Sequence, residues 1–101
     1  MQTLNRNIIL SIIRKNKNLL SSRFHVSRIG LFGSFARDEG TELSDLDFLV
    51  EFDVPLESYI SNRFALIDFL SELFERDIDV ANPNSLKPFY KDAILKHSIY
   101  A

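Results

Sequence analysis

Two acidic residues and a Gly-Ser pair upstream of them are the residues of this sequence whose types and spacing could do chemistry. Asp45 and Asp47 are one residue apart, and ten residues separate Gly33-Ser34 from Asp45. Paired carboxylates are hard oxygen ligands, which suit a divalent cation such as Mg²⁺ when no Cys or His lies nearby. A strand that runs into Gly-Ser and a helical turn leaves backbone N–H groups that can bind phosphate. The pattern therefore predicts magnesium-assisted phosphate chemistry.

The two carboxylates need a stabilising partner if they are to lie side by side. Like charges about 4 Å apart repel by about 4 kcal/mol at an effective dielectric constant of about 20. A bound cation would offset that repulsion, whereas an exposed edge strand with two solvated acids would avoid it. The acidic pair alone favours the solvated alternative, and its distance from the Gly-Ser turn favours the metal site.

The elements that must position these residues are predicted from the alternation of apolar side chains. Residues 26–32 form a first strand that ends at Gly33, and residues 45–53 form a second strand. Since strand side chains alternate between faces, Asp45 and Asp47 project from one face of the second strand. The opposite face carries Leu46, Phe48, Val50 and Phe52. We expect that face to be core and the acidic face to be the site.

A later strand carries two further acids. In Asp77-Ile78-Asp79-Val80 the apolar residues share one face and the acids share the other. If this strand pairs with the second strand, either Asp77 or Asp79 adds a third carboxylate to the site, and periodicity does not choose between them. A third acid suits a base that accepts the proton of a hydroxyl nucleophile.

Two side chains near the turn have alternative roles. Ser34 either caps the start of a short helix with its hydroxyl or offers that hydroxyl and its N–H to a phosphate. Arg37 lies one turn further on, where its guanidinium either reaches a phosphate or forms a surface ion pair with Asp38 or Glu39. The sequence alone leaves both pairs of alternatives open.

Helical spacing of apolar residues predicts helices over 4–15, 57–75 and 86–100, and a shorter helix or a turn over 17–25. In helix 57–75 the apolar residues extend well past half of the circumference, which is wider than one core contact needs. Either the helix is buried on both sides, or Phe69, Leu66 and Leu73 form a surface for a partner or for an oligomer.

Composition excludes several kinds of site. The 101 residues contain no cysteine, which excludes disulfides, zinc-thiolate sites and cysteine nucleophiles. No apolar run reaches about 18 residues and no signal peptide is recognisable, so a single cytoplasmic domain spanning 1–101 is expected, with no membrane contact. No Walker A, dinucleotide-binding or nucleophile-elbow pattern occurs.

Charge is distributed unevenly along the chain, although the net charge is only -2. Residues 1–30 carry six Arg or Lys and no acid, whereas residues 31–82 carry thirteen acids and three arginines. The basic third has no basic run longer than two residues and no interleaved aromatic residues of the sort that stack bases, so nucleic-acid binding is not expected. The acidic part coincides with the predicted cation site.

The stretch LFGSFARDEGTELSDLDFLVEF resembles the signature of the DNA polymerase beta-like nucleotidyltransferase superfamily. Within it, the chain is most similar to the minimal MNT-type members, the antitoxins of HEPN/MNT toxin-antitoxin pairs. The resemblance covers nearly the whole chain, including IDVANPNSL and the closing ILKHSIYA. It implies an α+β fold in which helices pack on a small mixed sheet. The match departs from the family at Asp38, where members often have Gly directly after the Arg.

The resemblance also implies roles for matching residues and an activity. Gly33 and Ser34 would hold the nucleotide phosphates. Asp45, Asp47 and Asp79 would bind two Mg²⁺ ions, and Asp79 would help to remove a proton from the acceptor. The implied activity is transfer of AMP from ATP to a tyrosine hydroxyl of a partner HEPN toxin. A binding module that neutralises its partner by contact alone, and a nucleotidyltransferase acting on RNA or a small molecule, are the alternatives.

Overall fold

A computed structural model describes residues 4–101, apart from the side chains of Phe89 and Tyr90. Helices and strands alternate irregularly through this part of the chain. The helices are α1 (Arg6–Lys15), α2 (Lys17–Phe24), α3 (Gly33–Ala36), α4 (Leu56–Phe74) and α5 (Pro88–His97), with a 3-10 turn at Pro83–Ser85. The strands are β1 (Val26–Phe32), β2 (Leu46–Phe52), β3 (Ile78–Ala81) and β4 (Ile99–Tyr100).

The strands form one mixed sheet in the order β3-β2-β1-β4. The central strand β1 is antiparallel to both β2 and β4, whereas β2 and β3 are parallel. The parallel pair is possible because α4 carries the chain back across the sheet between those two strands. The α+β fold with a small mixed sheet is thereby confirmed.

One face of the sheet is the main hydrophobic core. Leu46, Phe48 and Val50 of β2 are at most 1% exposed and pack in one cluster with buried residues of α1, α2 and α4. This confirms the core face predicted for β2. Leu49, on the opposite face, is also fully buried, because the chain around the 3-10 turn and α5 returns over that side. Asp47, nearer the start of β2 on the same face, is only half-buried.

The wide apolar surface of α4 divides into two parts. Leu66, Leu70 and Phe74 are buried in the core, and Phe69 packs on Phe24 with ring centroids 5.0 Å apart. Of the two alternatives, packing within the domain is therefore correct for Leu66 and Phe69, and a partner surface at these two residues is wrong. Most of the exposed apolar side chains of α4 lie in its first half. They are Leu56, Ile60 and Phe64, which are 89%, 66% and 58% exposed, and at the far end Leu73, at 37%.

The C-terminal region differs from the single helix predicted over 86–100. The helix α5 ends at His97, Ser98 is extended, and Ile99 and Tyr100 pair with Leu31 and Gly30 of β1 as a fourth strand. The free edge of β1 provides hydrogen-bonding groups that a continued helix would leave unpaired. Within residues 4–101, no helix combines the length and the apolar character needed to cross a membrane.

Candidate active site

The turn after β1 depends on Gly33. Its φ of +74° lies in the left-handed region, which side chains rarely adopt. A Cβ atom at this position would also overlap the Oδ2 atom of Asp47. A glycine is therefore required at position 33 for two reasons. Its backbone is left-handed, and the carboxylate of Asp47 lies directly against it. The turn and the predicted acidic site are in contact.

Two of the predicted acids are brought together by strand register. Asp47 of β2 lies beside Asp79 of β3 in the parallel pair, so their side chains leave the same face of the sheet. Neighbouring strands are about 4.8 Å apart, which keeps the two carboxylates within strong electrostatic reach. Asp47 also pairs with Phe32 of β1, the residue before Gly33. The acids and the turn thus occupy one corner of the sheet.

The other two acids lie just outside their strands. Asp45 precedes β2 and Asp77 precedes β3, and both side chains are exposed. The backbone carbonyl of Asp77 accepts a hydrogen bond of 3.0 Å from the N–H of Leu46, which starts the β2–β3 pairing. Asp79 is the acid of this segment that stands next to Asp47, whereas periodicity alone had left the choice open.

The electrostatics of this corner centre on Asp47. Burial, followed by the charges of Asp79 and Asp45, raises the pKa of Asp47 from 3.8 to about 6, and the nearby guanidinium of Arg37 partly opposes this shift. Burial and like charges both disfavour an ionised carboxylate. Asp47 is therefore the carboxylate that gains most from a neighbouring positive charge.

The carboxylates share a face without meeting at one point. Among the described side chains of residues 4–101, no three acids or histidines lie close enough together to hold a metal ion. Asp45 and Asp79 are exposed, and like-charge repulsion with access to water favours side-chain positions that point apart. The strand register places the acids near one another. The convergence on a metal ion that the sequence predicts would require their exposed side chains to rotate.

The alternatives for Ser34 and Arg37 can now be narrowed. Phe32 is the residue that precedes α3, and no side chain caps this helix, so Ser34 is not a cap. Ser34 lies half-buried in the first turn of α3, where backbone N–H groups have no acceptor within the helix. The Nε atom of Arg37 lies 3.2 Å from Glu39, which is the predicted surface ion pair. Arg37 nevertheless stands close enough to act on Asp47.

The acid at position 38 forms an ion pair with α1. Asp38 adopts a φ of +61°, which explains why a glycine suits this position. Its carboxylate lies 3.6 Å from the guanidinium of Arg6 and is mostly exposed. The guanidinium of Arg6 therefore offsets part of the negative charge of Asp38.

Two arginines that the sequence analysis did not single out hold the segments around the site. Arg6 of α1 donates to the carbonyl of Ala36 at the end of α3, over 3.2 Å. Arg76 donates to the carbonyls of Thr41 and Ser44, over 2.9 and 2.8 Å, in the connection that leads to Asp45. Their targets are main-chain carbonyls, so no sequence pattern identifies them.

Comparison with known proteins gives a consistent family. A family model described as a nucleotidyltransferase domain matches residues 13–101. The protein adenylyltransferase MntA of Thermococcus cleftensis is 36% identical over 94 residues, which are 91% of each chain. A provisionally named protein adenylyltransferase of Methanocaldococcus jannaschii is 38% identical over 101 residues and 99% of each chain.

Solved structures agree with these relatives in fold. A structure described provisionally as a minimal nucleotidyltransferase covers 98% of both chains with a TM-score of 0.78 and 25% identity. A toxin-antitoxin crystal structure with AMP-PNP contains a chain that matches 96% of this one, over 72% of its own length. Its TM-score is 0.63 and its identity is 23%, which shows a shared fold.

Proposed function

Because this chain belongs to the nucleotidyltransferase domain family, we propose that it transfers AMP from ATP to a hydroxyl group of a partner protein toxin. The acceptor we propose is a tyrosine of a HEPN-type toxin, which the modification would inactivate. Relatives that share more than a third of its residues over most of their length are named protein adenylyltransferases. The observation that carries the proposal is the Asp47–Asp79 pair beside the Gly33 turn.

The donor set fits magnesium. Asp45, Asp47 and Asp79 offer only carboxylate oxygens, which Mg²⁺ prefers, and their mutual repulsion at Asp47 is the interaction that a divalent cation offsets. These three acids would hold the metal, as a pair of ions, after rotation of the exposed side chains. When bound, Mg²⁺ supplies charge neutralisation at the phosphates.

The protein's own groups account for binding and orientation of ATP. The N–H groups of the turn at Gly33 and Ser34 would bind the phosphates, with Arg37 adding charge from the end of α3. This directs the α-phosphate toward Asp47, because the carboxylate of Asp47 lies against Gly33.

The transfer step would proceed in line at the α-phosphate. The acceptor hydroxyl oxygen forms a bond to the α-phosphorus while the bond from that phosphorus to the oxygen bridging to the β-phosphate breaks. Pyrophosphate leaves with the bonding electrons. Asp79, at the exposed edge strand, would accept the hydroxyl proton. The product is an AMP ester of the acceptor.

The proposal is tested with labelled ATP. The protein is incubated with Mg²⁺, ATP labelled in the α-phosphate, and the protein encoded by the adjacent gene. We expect label on that protein with the wild type and none with the double variant Asp45→Asn and Asp47→Asn. Labelling that survives the double variant, or that appears only on RNA or a small molecule, would contradict the proposed reaction.

A second candidate function is neutralisation of the partner by contact alone. The exposed stripe of Leu56, Ile60 and Phe64 favours it, because contiguous exposed apolar side chains often mark an interaction surface. Under this alternative, the double Asn variant would still protect cells from the toxin and Ile60→Glu would not. Catalytic neutralisation predicts that the double Asn variant fails to protect.

A further inference from the structure

A cavity of about 340 Å³ adjoins the Gly33 turn on the acidic face of the sheet. Phe32, Gly33 and Arg37 line one side of it. The other side is formed by α5, through Ala93, Ile94 and His97. The cavity therefore lies between the turn that would bind phosphate and a helix to which the proposed reaction assigns no role.

Strand register fixes the position of this cavity relative to the acids. Phe32 and Asp47 are direct partners in the antiparallel β1–β2 pair, so their side chains leave the same face side by side. Gly33 borders both the carboxylate of Asp47 and the cavity. A molecule with its phosphates on the turn has the cavity on one side and the acids on the other.

The chemistry of the lining is unlike that of a phosphate site. Its walls are mainly carbon, from the ring of Phe32 and the side chains of Ala93 and Ile94. Among the residues whose side chains are described, the polar ones that line it are Arg37 and His97. Apolar walls with a few polar groups at the rim are typical of pockets for planar organic ligands. A base stacks on an aromatic face without needing a particular hydrogen-bond pattern.

We propose that this cavity holds the nucleobase of the nucleoside triphosphate, with Phe32, Ala93 and Ile94 as its walls and His97 as the residue that contacts the edge of the base. The inference rests on the proposed nucleotidyl transfer and adds a base subsite to it. Ile94 and His97 are three residues apart on α5, so they share one face of that helix. The helix α5 thereby sets which nucleotide is bound.

The experiment compares ATP with tripolyphosphate, which carries the phosphates without a base. Binding of each to the full-length protein is measured by calorimetry in Mg²⁺. Ala93 is exposed, so Ala93→Phe fills the cavity without entering the core. The matched control is Ala65→Phe, the same change at an exposed alanine of α4 outside this cavity.

We expect the wild type to bind ATP about tenfold or more tightly than tripolyphosphate, because a stacked base adds to the phosphate contacts. Ala93→Phe should remove this advantage while tripolyphosphate affinity stays within about twofold, and Ala65→Phe should change neither. Unchanged ATP binding in Ala93→Phe would overturn the base subsite and leave the proposed function standing. A wild type that binds neither compound would overturn both.

Two further outcomes separate the roles of individual residues. His97→Ala should change the ratio of ATP to GTP affinity by about threefold or more, with tripolyphosphate unaffected, because His97 contacts the base edge. An unchanged ratio would overturn the role of His97. If Ala93→Phe blocks AMP transfer yet binds ATP normally, the cavity holds the aromatic ring of the acceptor, and the base assignment is wrong.

Discussion

At the scale of single residues, the site is built on a contact between a glycine and a carboxylate. Gly33 adopts a left-handed backbone conformation, and the turn there contacts the carboxylate of Asp47. The register of the parallel β2–β3 pair places Asp79 beside Asp47. The contact holds the turn proposed to bind phosphate and the acids proposed to bind metal within one corner of the sheet. It also makes the site sensitive to the smallest possible change at Gly33.

We expect Gly33→Ala to destabilise the protein by about 1–3 kcal/mol, since the new Cβ atom meets both a left-handed backbone and the carboxylate of Asp47. Urea denaturation measures this loss. Nucleotide binding should fall further than stability, because the displaced carboxylate belongs to the site. A Gly33→Ala protein that is as stable as the wild type and binds Mg²⁺ and ATP equally well would contradict the described contact.

The raised pKa of Asp47 predicts how stability depends on pH. The folded protein holds this proton more tightly than the unfolded chain, so the group's contribution to stability is complete below pH about 4 and is lost as pH rises through about 6. Asp47→Asn removes that loss. In metal-free buffer the variant should be about 1 kcal/mol more stable than the wild type at pH 7.5, a value reduced because solvent screens this half-exposed group.

The measurement is urea denaturation at pH 4 and pH 7.5 in the presence of a chelator. The advantage of Asp47→Asn should be much smaller at pH 4, where the wild-type carboxyl is protonated in the folded protein and is already about half ionised in the unfolded chain. Asp68→Asn, an exposed acid on α4, provides the control. An advantage of equal size at both pH values would show that burial and like charge do not act on Asp47 as described.

Much of the site could be predicted from residue types, and some of it could not. The spacing of Gly33-Ser34 and the acids predicted the turn and the acidic strand beside it, because their chemistry lies in the side chains or in the special backbone of glycine. That these acids bind a metal stays a prediction. The roles of Arg6 and Arg76 could not be predicted from the sequence, because these side chains donate to main-chain carbonyls that any residue provides. The orientation of Asp38 also depends on its backbone and on Arg6, which is distant in sequence.

At the scale of elements, α4 combines a core helix and an exposed apolar stripe. Periodicity indicated that its apolar surface was too wide for one contact, but it did not indicate which residues were in excess. The answer depends on where the sheet and α2 lie, which the sequence of the helix does not contain. The same limit applies to β4, since a strand of two residues carries no periodic signal and forms only because the edge of β1 is available.

Because α4 has a buried part and an exposed apolar part, substitutions in the two parts should differ in their effect on stability. Leu66→Ala should destabilise the protein by about 2–5 kcal/mol, because it leaves a cavity in a fully buried cluster. Ile60→Ala should change the free energy of unfolding by less than about 0.5 kcal/mol, since Ile60 is 66% exposed. Denaturant titrations of both variants give the comparison. Equal losses would mean that Ile60 is also packed within the chain.

The connection between α3 and β2 depends on Arg76. We expect Arg76→Ala to lower the rate of AMP transfer by about tenfold or more, because freeing Thr41 and Ser44 lets the backbone before Asp45 move. Arg76→Lys should restore little, since an ammonium group does not reproduce the geometry of a guanidinium that binds two carbonyls. Steady-state rates measure the effect. Full rescue by lysine would indicate a role for charge alone.

At the scale of the whole molecule, the hydrophobic core that stabilises the fold lies on one face of the sheet, and the proposed active site lies on the other. The helices α1, α2 and α4 bury one face, and the opposite face carries the acids at one end and the cavity beneath α5 next to them. Substitutions on the first face should alter folding, and those at the open corner of the second should alter binding and transfer. The uneven charge of the sequence follows this plan, because the acids cluster in the part of the chain that forms the site.

The most direct test of this account compares Asp79→Asn with Asp77→Asn in the labelled-ATP reaction. The two residues are the same in type and two positions apart, and strand register places only Asp79 beside Asp47. We predict that Asp79→Asn lowers the initial rate by about a hundredfold or more, while Asp77→Asn stays within about threefold of the wild type. Equal effects, or a larger loss for Asp77→Asn, would contradict the proposed site.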